Sequence, residues 1–158
     1  MILFSEQSLL DEVTKLKRLG KKIVTTNGCF DILHPGHIET FRQARALGDI
    51  LIVLVNNDVN PYFQTKPGRP INTEDSRMVM LDAIRYIDFV YSFSEETPVS
   101  LLEQIKPDIH IKGGDYVKES LPEYRLIREY GGDVVIVPTM NGYSTSGIIG
   151  KVLEVYGR

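Results

Sequence analysis

The chain has 158 residues, of which 42% are apolar and 25% charged, and its formal net charge is −3. This length suffices for one domain with a hydrophobic core, residues 1–158, and the slight acidic excess argues against a protein that coats nucleic acid. The single cysteine, Cys29, excludes an intrachain disulfide and suits a reducing compartment. No segment reaches membrane-spanning length and the apolar start is too short for a signal peptide, so we expect a cytoplasmic protein with no membrane partner.

Strand-like and helix-like segments alternate along the chain. Apolar residues at helical spacing predict helices, and short apolar runs predict strands. The predicted helices cover residues 5–19, 35–47, 73–86, 98–105, 122–130 and 145–156, and the predicted strands cover 22–26, 49–57, 88–93, 108–114 and 133–138. Five such strands separated by helices are typical of α/β proteins, here a Rossmann-like, five-stranded parallel sheet with helices on both faces. Residues 1–20 are interpreted as an N-terminal helical extension, for packing or for a dimer contact.

Ligands of such sheets bind beyond the carboxyl ends of the strands, which directs attention to the loops that follow them. These loops are residues 27–35, 56–72, 92–98, 112–121 and 138–145. Neither a G-x-G-x-x-G dinucleotide fingerprint nor a G-x-x-x-x-G-K-S/T P-loop follows the first strand. A dinucleotide-binding oxidoreductase is therefore disfavoured.

Two of the three histidines, His34 and His37, lie on either side of Pro35 where a helix is predicted to begin. The free N–H groups and the positive dipole end of a helix N-terminus bind phosphate, so both imidazoles are expected beside a phosphate. Paired histidines also bind zinc, but zinc needs further ligands. Only Cys29 and His110 remain as soft donors, and His110 lies within a predicted strand. Phosphate binding is the favoured interpretation.

The segment GCFDILHPGH, residues 28–37, resembles the H-x-G-H signature of the nucleotidyltransferase superfamily, which includes cytidylyltransferases and small adenylyltransferases. The resemblance implies that His34 and His37 bind a nucleoside triphosphate and stabilise charge as pyrophosphate leaves. It further implies that the backbone around Gly28, Cys29 and Phe30 lines the phosphate pocket.

Two later segments extend the resemblance. Lys66 in the long loop and Arg77 early in the next helix match basic residues that reach phosphates in this superfamily, and Arg69 is a weaker match. The segment Ser144-Thr145-Ser146 resembles a motif whose hydroxyls and helix N–H groups hold the β- and γ-phosphates; by chemistry alone it is equally a helix cap. Asp31 is a candidate for substrate contact, although an acid at a helix start is often only a cap or the partner of a basic residue.

The segment KGGDY, residues 112–116, narrows the resemblance. Two glycines after a strand allow the backbone to lie against a flat ring, or simply make a turn. Together with GCFDILH, the segment is similar to D-glycero-β-D-manno-heptose 1-phosphate adenylyltransferases, which implies that Lys112, Gly113, Gly114 and Asp115 lie near the nucleoside.

That resemblance implies a set of substrates and partners. They are ATP, Mg²⁺ bound through the triphosphate with no protein metal site, a sugar 1-phosphate, a separate sugar kinase that supplies this acceptor, and a homodimer. Two alternatives stay open: a cytidylyltransferase for glycerol 3-phosphate or a similar small phosphate, and a nucleotide-binding module without turnover.

Overall fold

The computed structural model describes residues 1–138, 140 and 142–157. In this part of the chain one sheet is formed by β1 (Ile23–Gly28), β2 (Ile50–Asn56), β3 (Phe89–Phe93), β4 (Ile109–Gly113) and β5 (Asp133–Val137). All neighbouring strands are parallel, in the order β3-β2-β1-β4-β5. The helices are α1 (Glu6–Arg18), α2 (Pro35–Ala46), α3 (Glu74–Asp82), α4 (Val99–Ile105), α5 (Pro122–Glu129) and α6 (Thr145–Tyr156). The predicted Rossmann-like α/β fold is confirmed.

The sheet is buried because helices cover both of its faces. Every residue of β2 after Ile50 is buried, which explains its uninterrupted apolar sequence. On one face α1, α4 and α5 contribute Leu9, Leu102 and Ile127 to a continuous apolar core. On the other face α2 and α3 pack through residues such as Phe41, Ala44, Met78 and Leu81. The functional site must therefore lie at an end of the sheet.

The segment interpreted as an N-terminal extension packs into this core. Ser5 caps α1 through a reciprocal pair of hydrogen bonds with Ser8, and Leu9, Val13 and Leu16 of that helix are buried. The preceding residues run beside the outer strand β3, where Leu3 N donates to the carbonyl of Val90 at 2.9 Å. The sequence pattern did not predict this pairing.

Helix α3 is shorter than the predicted range of 73–86. It ends at Asp82, and the chain then turns so that Ile87 lies buried at 7% exposure. The amide of Ile87 donates to the carbonyl of Ile84 at 2.9 Å, which is the spacing of a tight turn. The apolar residues after Asp82 continue the helical spacing in the sequence, but in the structure they belong to this turn.

The strand order places a crevice at the centre of the molecule. From β1 the chain first builds β2 and β3 on one side, and then returns to build β4 and β5 on the other. Ligands of open α/β sheets bind at such a switch point, outside the carboxyl ends of the strands. The loops after β1 and β4 meet there. Within the described residues, no helix combines the length and the apolar character needed to cross a membrane.

Candidate active site

A cavity of about 570 Å³, here called the central cavity, opens at the carboxyl ends of the strands. It is lined by 14 of the residues that the sequence predicted: Gly28, Cys29, Phe30, Asp31, His34, His37, Lys66, Arg69, Lys112, Gly113, Gly114, Ser144, Thr145 and Ser146. Residues from four different loops are thus brought to one place by the parallel sheet. Two further predicted residues, Arg77 and Asp115, are not among those lining the cavity.

The two histidines form a stacked pair at the start of α2. Their ring centroids are 3.8 Å apart and their planes differ by 19°. His34 occupies the N-cap position without making a side-chain cap bond, and Pro35 is the first helical residue. The Nδ1 atoms of both rings are buried and have no hydrogen-bond partner among the described residues. Buried polar atoms are rarely left unpaired, and such atoms cluster at ligand sites. The two Nδ1 atoms are therefore available for hydrogen bonds to a ligand.

The glycine of the motif leaves room for the ring of the first histidine to pack closely against the helix. A Cβ atom at Gly36 would approach two atoms of the His34 ring at 3.1 Å. On the other side, the Phe30 ring meets His37 edge-on with a centroid distance of 5.4 Å. Gly36 and Phe30 together fix the orientation of the two imidazoles.

Burial favours the neutral form of both imidazoles. Burial lowers the pKa of His34, and burial together with the neighbouring His34 ring lowers the pKa of His37 to about 4. A neutral imidazole carries one N–H donor and one acceptor. The pair can consequently donate hydrogen bonds to a phosphate but does not supply a full positive charge.

A second helix N-terminus opens onto the central cavity. Ser144 caps α6 by accepting a hydrogen bond from Gly147 N at 3.0 Å. Thr145 Oγ1 donates to the carbonyl oxygen of Ile32 at 3.4 Å. The last contact ties the start of α6 to the loop after β1. The N-termini of α2 and α6 therefore both present their positive dipole ends to one cavity, which favours an anionic ligand.

Lys66 is the most open of the predicted cations of the site. Its ammonium group lies 5.0 Å from the centroid of the Tyr62 ring, a cation–π contact. Both residues belong to the long loop between β2 and α3, and both line the central cavity. No ion pair holds Lys66 among the described residues, so its ammonium group is available to approach a phosphate.

Arg77, predicted to reach phosphates, is buried in this structure. Its side chain is 0% exposed. Its guanidinium donates to the carbonyl oxygens of Cys29 at 2.6 Å, Asn56 at 2.7 Å and Asn72 at 3.1 Å, and to Asp58 Oδ1 at 2.7 Å. With these bonds made, the guanidinium joins three backbone segments that surround the site. Four of the five donors of its guanidinium are thus committed within the protein, which favours a structural role, and phosphate contact by Arg77 stays a prediction.

Asp31, a candidate for substrate contact, is likewise bound to groups of the protein itself. Its fully buried carboxylate accepts hydrogen bonds from the amides of Ile71 at 2.9 Å and Asn72 at 2.8 Å, and from Arg69 Nε. Burial raises the pKa of Asp31, but these donors outweigh it and lower the pKa overall. Arg69 is correspondingly held in an ion pair. Asp31 anchors the end of the long loop. It thus acts as the partner of a basic residue, which was the alternative to a substrate contact.

The KGGDY segment turns sharply at the end of β4. Gly114 has a φ of +137°, which side chains rarely allow, and the Tyr116 ring lies against it so closely that a Cβ atom would approach at 2.7 Å. Gly114 and Tyr116 line the central cavity, whereas Asp115 is exposed outside it. That Asp115 lies near the nucleoside stays a prediction, and the turn brings to the cavity the aromatic ring of Tyr116, which the sequence analysis did not single out.

Lys112 is held by two polar neighbours. Its ammonium donates to Asn27 Oδ1 at 2.7 Å and to Glu123 Oε1 at 3.1 Å. Asn27 and Glu123 also line the central cavity. No motif predicted their role, because Glu123 belongs to α5, beyond the KGGDY segment.

The thiol of Cys29 is a poor nucleophile. Burial raises the pKa of Cys29 to about 11 even though Arg77 and Lys66 act in the opposite direction. The reactive form of cysteine is the thiolate. Within residues 1–138, 140 and 142–157, no group of three or more His, Cys, Asp or Glu side chains is arranged to hold a metal ion.

Comparison with known proteins identifies the family. The family model described as cytidylyltransferase-like matches residues 25–151. The chain belongs to the cytidylyltransferase-like family. This family places the chain among the nucleotidyltransferases, as the H-x-G-H resemblance implied.

The relatives include several proteins named bifunctional protein HldE. The chain is 47% identical over 146 residues to that of Azotobacter vinelandii, covering 92% of this chain and 31% of the relative. It is 45% identical over 148 residues to that of Pseudomonas paraeruginosa, covering 94% and 31%. The chain therefore spans about a third of the length of the curated relatives it matches.

Solved structures agree with the fold. A lipopolysaccharide core biosynthesis protein from Thermoplasma volcanium is 30% identical with a TM-score of 0.63, over 79% of this chain and all of that one. A pantoate-beta-alanine ligase from Francisella tularensis has a TM-score of 0.64 over 100% of this chain and 79% of that one, but is only 16% identical and shows similarity of fold alone.

For a cytidylyltransferase-like protein, the arrangement around the central cavity is chemically coherent. Two helix N-termini, a pair of neutral imidazoles and the Lys66 ammonium surround one space. Such groups stabilise charge that develops on phosphate oxygens and position two anions for reaction.

Proposed function

We propose that the protein transfers AMP from ATP to a sugar 1-phosphate, D-glycero-β-D-manno-heptose 1-phosphate, giving ADP-heptose and pyrophosphate. The observation that carries the proposal is the stacked His34–His37 pair at one helix start, facing the same cavity as the Ser144-Thr145-Ser146 start of α6. The heptose acceptor is supported by 41–47% identity to HldE proteins and by the lipopolysaccharide core biosynthesis protein among the solved structures.

The reaction needs no protein nucleophile. An oxygen of the acceptor phosphate, already anionic at neutral pH, attacks the α-phosphorus of ATP, and the bond from that phosphorus to the bridging oxygen of the β-phosphate breaks as pyrophosphate leaves with the electron pair. The protein must hold two anions in line and stabilise the charge that develops. His34 and His37 would donate hydrogen bonds to the reacting phosphates. Ser144, Thr145 and Ser146 would bind the departing pyrophosphate, and Lys66 would approach when the long loop closes.

Magnesium fits this scheme as an ion carried by the nucleotide. No acidic cage lies among the described residues, so the triphosphate oxygens would supply its ligands, with water completing the shell. When bound, Mg²⁺ neutralises part of the phosphate charge. A homodimer and a separate kinase for the acceptor stay predictions.

The test is a substrate screen that measures pyrophosphate release. Purified protein and Mg²⁺ are combined with ATP, CTP, GTP or UTP, and each nucleotide is paired with the α- and β-anomers of the heptose 1-phosphate and with glycerol 3-phosphate. The proposal expects release with ATP and the β-anomer. Preference for CTP and glycerol 3-phosphate would instead establish a small-phosphate cytidylyltransferase, and ATP binding without release from any pair would establish a binding module.

A further inference from the structure

The central cavity contains a polar cluster that the proposed phosphate chemistry does not use. It consists of Asn27 at the end of β1, Lys112 in β4 and Glu123 in the first turn of α5, here called the Asn27–Lys112–Glu123 cluster. The strands β1 and β4 are neighbours in the sheet, which brings Asn27 and Lys112 together. All three residues line the cavity, and Glu123 is only 1% exposed.

Glu123 is a buried carboxylate with unused capacity to accept hydrogen bonds. Burial raises the pKa of Glu123, but the nearby His110 ring and the Lys112 ammonium lower it to about 2, so the group is ionised. An ionised carboxylate offers about four lone-pair sites. Lys112 donates to its Oε1 at 3.1 Å, and Nε2 of the fully buried His110 lies 3.5 Å from the same oxygen, so Oε2 has no donor among the described side chains.

The other two members of the cluster retain donors. The Lys112 ammonium has three N–H groups and uses two of them, on Asn27 and Glu123. Asn27 accepts through Oδ1, which leaves the two N–H groups of its amide without a partner in the described hydrogen bonds. The cluster therefore presents acceptors and donors side by side to the cavity.

This mixture determines which ligand chemistry fits. A phosphate is repelled by the Glu123 carboxylate, and an apolar ring satisfies none of these groups. A hydroxyl group both donates and accepts, so two neighbouring hydroxyls on a sugar ring match the cluster.

We infer that the Asn27–Lys112–Glu123 cluster binds neighbouring hydroxyl groups of a sugar ring, with Glu123 accepting from a hydroxyl and Asn27 or Lys112 donating to one. The inference rests on the proposed function for the identity of the sugar. The hydroxyls belong either to the ribose of the nucleotide or to the acceptor sugar. Asn27 and Glu123 are then specificity residues.

The test deletes hydroxyls from the ligand and the matching group from the protein. Calorimetry without turnover compares ATP with 2′-deoxy-ATP and 3′-deoxy-ATP. A second series, with a non-hydrolysable ATP analogue present, compares the heptose 1-phosphate with its 2-deoxy and 3-deoxy forms. Removal of a bound hydroxyl should weaken binding to the unsubstituted protein by about 10- to 100-fold, the range for hydrogen bonds to charged groups.

The variant Glu123→Gln should show a similar loss with the intact ligand and little further loss with the deoxy ligand. Glu119→Gln, a change of an exposed glutamate just before α5, is the matched control and should behave like the unsubstituted protein. The series that shows coupling tells whether the ribose or the acceptor is bound. A role of Glu123 that is only structural would weaken intact and deoxy ligands by the same factor.

The inference is overturned if the unsubstituted protein does not discriminate in either series, which is informative even where the variant fails to fold. Independent, multiplying effects of the variant and the deoxy ligand would overturn it as well. Pyrophosphate release in the substrate screen, with no coupling between Glu123→Gln and the removal of a hydroxyl, would refute this inference and leave the proposed function standing. Coupling to the ribose without pyrophosphate release from any acceptor would refute the proposed function alone.

Discussion

Replacement of Arg77 by methionine separates a structural role from a phosphate-binding role. Methionine has a comparable length and no donor, so the change removes four hydrogen bonds and leaves three carbonyl oxygens and the Asp58 carboxylate without their partner. An unsatisfied buried group costs about 1–3 kcal/mol. Because the Asp58 carboxylate is 40% exposed and the loops can relax and admit water, we expect a total loss of about 3 kcal/mol, the lower end of that range for each of the three carbonyl oxygens.

This loss is large compared with the stability of a typical domain, about 5–15 kcal/mol, and is measured by urea unfolding monitored by circular dichroism. Arg77→Lys, which keeps the charge with fewer donors in another geometry, should lose less than the methionine variant. Arg85→Met is the control: this arginine is exposed and, within the described part of the chain, hydrogen-bonds only to Tyr86, so its loss should stay within about 0.5 kcal/mol. Unchanged stability of Arg77→Met together with a raised KM for ATP would refute the structural role and restore the phosphate contact.

Three further predictions concern residues of the central cavity. His37→Ala should lower the rate of pyrophosphate release by about 10²–10³-fold, as the loss of other preorganised donors does. Arg42→Ala, a change on the exposed face of α2, is the control and should retain activity. Near-normal release by His37→Ala would exclude the proposed role. The lowered pKa of His37, about 4, predicts stability that is fully present above pH 6.5, near the unfolded value, and falls towards pH 4, because the unfolded chain binds a proton that the native ring does not. Between these pH values His37 should lower the free energy of unfolding by about 1.4 kcal/mol per pH unit, and this contribution should be absent from His37→Asn. Urea unfolding of both proteins at several pH values measures it. The same pH dependence in both proteins would contradict the prediction. Asp31→Ala should free the end of the loop at 69–72, so that limited proteolysis cuts the segment 57–72 faster than in the unsubstituted protein. Asp31→Asn keeps one acceptor oxygen and should be cut at an intermediate rate. Equal cutting rates for all three proteins would refute the conclusion that Asp31 anchors the loop.

The sequence was sufficient for the features that depend on local pattern. Short apolar runs separated by helical periodicity predicted the five parallel strands, because a strand covered on both faces must be apolar throughout. The H-x-G-H segment and the caps of α2 and α6 were likewise visible, since Pro35 and Ser144 specify helix starts by their own chemistry.

Only the tertiary structure decided which charged groups face the cavity. Arg77, Asp31 and Lys66 are all polar residues beside the same loop, and nothing in their spacing distinguishes a buried clamp from an open cation. That distinction depends on which carbonyls and amides the folded loops bring within about 3 Å, the length at which a hydrogen bond forms. The partnership of Asn27, Lys112 and Glu123 has the same origin: it joins β1, β4 and α5 across long sequence separations, and a chain pattern records periodicity but not the pairing of distant side chains.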